Sequence, residues 1–124
     1  MPRVLILGGA GYLGLAVGQA LLRSGNHSVF ATTRSGDKIN LLQANEVTPI
    51  KCDATDSKSL IDTITAHHID VIIDTTQAYG EAGSILASIV QAARNRAASL
   101  AENGAIGPKL AFIQRLSQVK QIFD

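Results

Sequence analysis

Val4-Leu5-Ile6-Leu7-Gly8-Gly9-Ala10-Gly11-Tyr12-Leu13-Gly14 is the stretch that decides how this chain folds. Four apolar residues in a row, too few for a helix, predict a strand buried on both faces, as in a parallel sheet. Glycines follow at positions 8, 11 and 14. From Tyr12 the period changes. Leu13, Ala16, Val17, Ala20 and Leu21 recur at helical spacing and predict an apolar stripe along one face. Gly25 then offers the left-handed residue that ends a helix. The stretch therefore reads as a buried strand, a tight glycine turn and an amphipathic helix.

The same alternation continues outward. Ser28–Thr33 is β-branched and aromatic, a second strand. A polar turn at Ser35-Gly36-Asp37 leads into a short helix near Lys38–Ala44. Val47–Cys52 predicts a third strand, and Pro49 within it removes one ladder hydrogen bond, which assigns it to a sheet edge. Thr55 or Asp56 can cap a helix running to about His67. Asp70–Thr75 is a fourth strand, Glu81–Asn103 a long helix ended by Gly104, and Lys109–Ile113 a fifth strand after the turn at Gly107-Pro108. Leu116, Val119, Ile122 and Phe123 are spaced for one more helical piece. Strands alternating with helices predict an α/β fold, a doubly wound parallel sheet of five strands. The order 3-2-1-4-5 puts the proline-bearing strand at the edge. Residues 1–113 form the sheet domain and 114–124 a tail. With no strand beyond it, the strand-5 edge would invite self-association.

The bulk numbers narrow the function. A chain of 124 residues supports one small domain. A net charge of +1 gives no field to steer it to nucleic acid or an acidic membrane, and Arg94 and Arg96 read as a solvated helix face. One cysteine, Cys52, excludes a disulfide framework or a multi-cysteine zinc site and reads as a small core residue. His67 and His68 are adjacent, so they point apart on a helix and make a poor metal pair. No metal site is expected. No run approaches the ~18 apolar residues of a membrane span, and the first residues lack a signal peptide's apolar core. A cytoplasmic location follows by elimination.

Spaced glycines between a buried strand and a helix point to dinucleotide binding. A side chain at Gly8 would obstruct the strand's exit, one at Gly11 would hold the backbone off a pyrophosphate, and one at Gly14 would push helix and strand apart. The first-turn N–H groups and the helix dipole favour the anion. No Gly-Lys-Ser/Thr follows, which excludes an ATPase-type phosphate loop. About 20 residues on, an NAD site usually offers an acid to the ribose 2′-hydroxyl. Arg34 stands there instead, and a guanidinium pairs with a 2′-phosphate through two charge-assisted hydrogen bonds. Thr32, Thr33 and Ser35 add hydroxyls. NADP(H) is therefore favoured, while Asp37 keeps NAD(H) open as a second acid candidate.

Three segments together resemble the extended and atypical short-chain dehydrogenase/reductases, namely the NAD-dependent epimerase/dehydratase group and the NmrA-like group. They are the Gly8/Gly11/Gly14 spacing, Cys52-Asp53-Ala54-Thr55-Asp56 after strand 3, and Val71-Ile72-Ile73-Asp74-Thr75-Thr76 at strand 4. The resemblance covers residues 3–113 and implies a Rossmann domain and oxidoreductase chemistry. It also implies the cofactor contacts. Gly8, Gly9, Ala10, Gly11 and Gly14 form the turn, and Tyr12 and Leu13 lie along the pyrophosphate and helix start. Thr33 and Arg34 sit at the adenosine ribose, Asp53 and Ala54 beside the adenine, and Thr75 and Thr76 toward the nicotinamide. Asp53 equally fits a turn or helix-capping role.

The chain departs from the family where the chemistry is done. The family's Tyr-x-x-x-Lys pair is absent, since Ala16 follows Tyr12 by four residues and Gly83 follows Tyr79. Gln114-Arg115-Leu116 stands where a Ser or Thr commonly follows strand 5. No catalytic residue is assigned. The expected function is that of the cofactor-binding half of an epimerase/dehydratase-type oxidoreductase. A non-catalytic NADP(H)-binding redox sensor and a non-functional truncated fragment stand as alternatives.

Overall fold

The computed structural model describes residues 2–34, 36–76, 82–102, 110–114 and 119–121. The turns expected at Ser35, Gly104 and Gly107-Pro108 lie outside them, as do Tyr79, Arg115, Leu116, Ile122 and Phe123. The chain runs β1 (Arg3–Leu7), α1 (Tyr12–Ser24), β2 (Ser28–Thr33), a 3-10 turn (Gly36–Lys38), α2 (Ile39–Ala44), β3 (Thr48–Lys51), α3 (Ser57–Ala66), β4 (Val71–Asp74), α4 (Ala82–Glu102), β5 (Ala111–Gln114) and β6 (Val119–Gln121). The sheet order is β3-β2-β1-β4-β5-β6. The first five strands are parallel, in the order expected, with Pro49 on the edge strand beside Ala31.

The strand pattern sorts the core into two layers. Leu5 and Leu7 of β1 join Phe30, Ile72 and Phe112 under α3 and α4, where Leu60, Ile64, Ile85 and Ile89 meet them. Val4 and Ile6 point to the opposite face, with Val29, Ala31 and Ile73 beneath α1 and α2. This alternation of buried faces is what parallel strands covered on both sides require. Gly25 ends α1 in the left-handed region (φ 75°), its N–H bonded to the Leu22 carbonyl at 3.0 Å. Asp56, one of the two caps foreseen, accepts from the Ser59 N–H at 3.3 Å at the start of α3.

Four expectations are corrected. The final residues do not make a helical piece where they are described. Val119–Gln121 pairs antiparallel with β5, so the β5 edge expected to be uncovered and to invite self-association carries a sixth strand. The buried face of α1 keeps only Val17 and Leu21 of the Leu13–Leu21 stripe. Ala16 and Ala20 are exposed, as is Leu13 at 42%. Gly14 and Gly18, one turn apart, are the buried residues, flanked by Leu15, Val17, Leu21 and Leu22. Apolar periodicity misses this because a glycine pair carries no hydrophobic signal, yet its lack of side chains lets the helix backbone approach the sheet.

Arg96 is no solvated cation. It donates to the Ile69 carbonyl at 2.7 Å and to Asp70 Oδ1 at 2.8 Å, while Asp70 Oδ2 accepts from the Arg3 N–H at 3.0 Å. Burial opposes ionisation of Asp70, but the hydrogen bonds and charges of Arg96 and Arg3 outweigh it and hold its carboxyl below the usual range. This cluster ties α4 to the amino ends of β1 and β4. His67 closes α3 as its C-terminal cap and packs against Phe30, with ring centroids 5.5 Å apart. Among the described residues no group of three His, Cys, Asp or Glu is placed to hold a metal, and no helix is long and apolar enough to cross a membrane.

Gly18 has slack where it packs. A Cβ there would lie 3.4 Å from Val47 Cγ2 and 3.5 Å from Ile6 Cδ1, ordinary contact distances. Gly18→Ala is therefore expected to stabilise the fold by about 0.5–1 kcal/mol through helix propensity, read as a Tm a few degrees higher. A lower Tm would show that the helix–sheet spacing admits no methyl.

Candidate nucleotide site

The carboxyl ends of β1, β2, β3 and β4 open onto one cleft of about 560 Å³. Ligands in doubly wound sheets bind at this end, where the winding reverses between β1 and β4. Gly8, Ala10 and Gly11 line the cleft from the first turn, Thr32, Thr33 and Arg34 from the end of β2, Cys52, Asp53, Ala54 and Thr55 after β3, Thr75 and Thr76 after β4, and Ile85 from α4. Nine of the thirteen cofactor contacts expected from the sequence are thus brought to the cleft: Gly8, Ala10, Gly11, Thr33, Arg34, Asp53, Ala54, Thr75 and Thr76. Gly9 and Gly14 lie behind the turn instead. Tyr12, 95% exposed, and Leu13 project from the helix start.

The three glycines serve different ends. Gly8 has φ 74°, a left-handed conformation that side chains disfavour. A Cβ on Gly14 would sit 2.6 Å from both the Gly8 carbonyl oxygen and Gly9 Cα, so α1 packs its first turn directly on the loop backbone. Gly9 lies flat on Ala31, whose side chain a Cβ at position 9 would strike. Gly11 differs: a Cβ there would meet only the Gly8 oxygen, at 3.5 Å. The protein has no steric need for glycine at position 11.

Two threonines from flanking strands fix the loop. The Gly8 N–H donates to Thr32 Oγ1 at 3.1 Å. Thr75 Oγ1 donates to the Leu7 carbonyl at 2.6 Å and approaches the Gly8 carbonyl at 3.2 Å, which also accepts from the Gly11 N–H at 3.1 Å. Both loops beyond β3 and β4 use one device. Asp53 Oδ1 accepts from the Thr55 N–H and hydroxyl at 2.9 and 2.7 Å, and Asp74 Oδ1 accepts from the Thr76 N–H and hydroxyl at 2.9 and 2.6 Å. These Asx turns are spelled Asp-x-Thr at both places, a repeat that could have been found in the sequence.

The charge layout is simple. The N-cap of α1 is Gly11, its first turn holds no acid, and no described side chain caps it. The N–H groups of Tyr12, Leu13 and Gly14 and the positive end of the dipole are left for solvent or a ligand. Arg34 is the one cation and Asp53 the one carboxylate among the described lining residues. Hydrogen bonds from Thr55 hold the Asp53 carboxyl below its usual range, and the Arg34 charge acts in the same direction. Cys52 is buried, accepts from Ser59 Oγ at Sγ (3.3 Å) and still reaches the cleft wall. Cys52, read from sequence as a small core residue, and the buried Ile85 line the cleft because strand and helix ends contribute buried side chains to it.

Solved structures share this fold. Saccharopine dehydrogenase (L-Glu forming) from Saccharomyces cerevisiae superposes with a TM-score of 0.64 at 22% identity, over 74% of this chain and 20% of its own. A nucleoside-diphosphate-sugar epimerase from Pseudomonas aeruginosa gives 0.61 at 22% identity, over 73% and 30%. The dTDP-glucose 4,6-dehydratase of Bacillus anthracis, in complex with NAD, gives 0.54 at 16% identity, over 92% and 37%. This chain therefore spans well under half the length of these proteins, and identities this low show the fold alone. No curated protein matches the sequence. The family model for the NAD-dependent epimerase/dehydratase family matches residues 4–101, from the middle of β1 to the end of α4. With that match over most of its length, on a Rossmann-type sheet, the chain belongs to the NAD-dependent epimerase/dehydratase family.

Proposed function

We propose that this chain binds a nicotinamide dinucleotide across the cleft, NADP(H) in preference to NAD(H), as the cofactor-binding part of an epimerase/dehydratase-type oxidoreductase. The observation that carries the proposal is the uncapped amino end of α1, with Gly11 at its cap position lining the cleft and free of any packing demand. The start of α3 is closed by its own Asp56, and that of α2, also without a side-chain cap, is not among the elements lining the cleft. An open helix pole next to backbone that can be approached closely suits a diphosphate. The Bacillus anthracis dehydratase, which shares the fold, is described with NAD.

Arg34 supports the NADP(H) preference. It lines the cleft just past β2, where the family's dinucleotide sites contact the adenosine ribose. Asp37, the acid that could serve a 2′-hydroxyl, is exposed on the 3-10 turn and is not among the lining residues. When bound, the nicotinamide supplies hydride chemistry. The chain's own residues bind and orient the cofactor, with the turn holding the diphosphate, Asp53 and Ala54 beside the adenine, and Thr75 and Thr76 on the nicotinamide side. No Tyr-x-x-x-Lys pair stands within the chain, so the proposal stops at binding.

Titration with NADPH and NADH tests it. Wild type is expected to bind NADPH more tightly, and Arg34→Ala to weaken NADPH about tenfold or more, the worth of a charge-assisted pair, while leaving NADH unchanged. Equal or tighter NADH binding, or no loss in Arg34→Ala, would overturn the preference.

A further inference from the structure

We infer that Asp53 is a selectivity residue as well as a wall of the cleft: its carboxylate competes with a 2′-phosphate for Arg34 and so limits the preference for NADP(H). This rests on the cofactor reading above. The β2–β3 pairing supplies the geometry. Thr33 is in register with Lys51, and the Cys52 N–H donates to the Thr33 carbonyl at 3.1 Å. Arg34 follows Thr33 directly and Asp53 follows Cys52, so the two leave the carboxyl ends of neighbouring strands one register step apart and line the same cleft.

The two side chains differ in freedom. Arg34 is exposed. Asp53 is half-buried and pinned, since Oδ1 takes both bonds from Thr55, and among the described residues Oδ2 accepts none. A pinned negative charge thus shares the cleft with an exposed positive one, and the lining that would greet a 2′-phosphate is neutral overall. A phosphate that takes up the guanidinium must outweigh the pull of the carboxylate in the same cleft, and it meets that carboxylate's repulsion. NADH, with no charge at that position, meets neither cost. The Thr55 hydrogen bonds chiefly lower the Asp53 carboxyl, and the Arg34 charge across the cleft acts in the same direction.

Asp53→Asn tests the inference cleanly. Asparagine keeps an Oδ1 acceptor for both Thr55 bonds and removes only the charge. The ratio of NADH to NADPH dissociation constants is expected to rise about threefold to fivefold, the scale of an exposed ion pair, and the rise is expected to shrink in an Arg34→Ala background. A ratio that does not move overturns the inference, whether both affinities fall together, as for a residue that only contacts adenine, or neither changes, as for a residue that only shapes the turn. A rise of the same size in the Arg34→Ala background overturns the competition for Arg34. Wild type that binds neither dinucleotide overturns the cofactor reading itself, an outcome distinct from binding with an unmoved ratio.

Discussion

Gly14→Ala is expected to destabilise the fold by about 3 kcal/mol, the upper range for forcing atoms into a packed contact, and to lower Tm by roughly 10 °C. The added methyl would lie 2.6 Å from two backbone atoms of the glycine loop, the Gly8 carbonyl oxygen and Gly9 Cα. Neither can swing aside as a side chain could. Gly8 is held by Thr32 and Thr75, and Gly9 is pressed on Ala31. The gain in helix propensity, about 1 kcal/mol, is already offset in that figure. Gly18→Ala makes the same chemical change one turn later with the opposite sign expected, so thermal melts of the two variants separate local crowding from a general effect of alanine in α1. A Gly14→Ala protein that melts with wild type would show that the loop can retreat from the helix.

Gly11→Asp is expected to spare the fold and abolish the site. Position 11 has extended backbone (φ −76°, ψ 172°) that any residue can adopt, and a Cβ there meets only ordinary contact. Aspartate is among the best N-caps, and its charge suits the helix dipole, so stability is expected to hold or to rise by up to ~1 kcal/mol. The same carboxylate occupies and repels the seat proposed for the diphosphate. Loss of one or two charge-assisted hydrogen bonds and the added like charge predict NADPH affinity lower by on the order of 100-fold. Titration reads this directly, and the thermal shift caused by NADPH should vanish with it. NADPH binding at wild-type strength in Gly11→Asp would remove the α1 pole from the proposed site.

Much of this architecture is written locally. Four apolar residues before Gly8 and a proline at position 49 were enough to set the central and edge strands, because burial on both faces and a missing N–H are properties of single segments. The cleft was legible for a related reason: the fold brings the residues after successive strands together, so Arg34, Asp53 and Thr75 could be placed without knowing any side-chain contact. What escaped depends on contacts distant in sequence. Arg96 meets Asp70 across 26 residues, and nothing around Arg96 distinguishes it from a solvated arginine. The buried face of α1 escaped because closeness of approach, carried by Gly14 and Gly18, outweighed side-chain hydrophobicity. The strand at Val119–Gln121 escaped because an added antiparallel edge strand needs only a free ladder beside it, and a three-residue strand is too short to show a period.

The Gly14–Gly18 seam also governs aim. A helix that carries leucine or valine toward a sheet stands off by the thickness of those side chains, and its axis passes above the strand ends. At Gly14, α1 sets its backbone directly on the glycine loop, and its uncapped positive pole stands at the cleft that Gly11 lines. One buried glycine thereby holds an electrostatic feature at the surface in place, and a substitution that lifts the helix at Gly14 would move that pole with it.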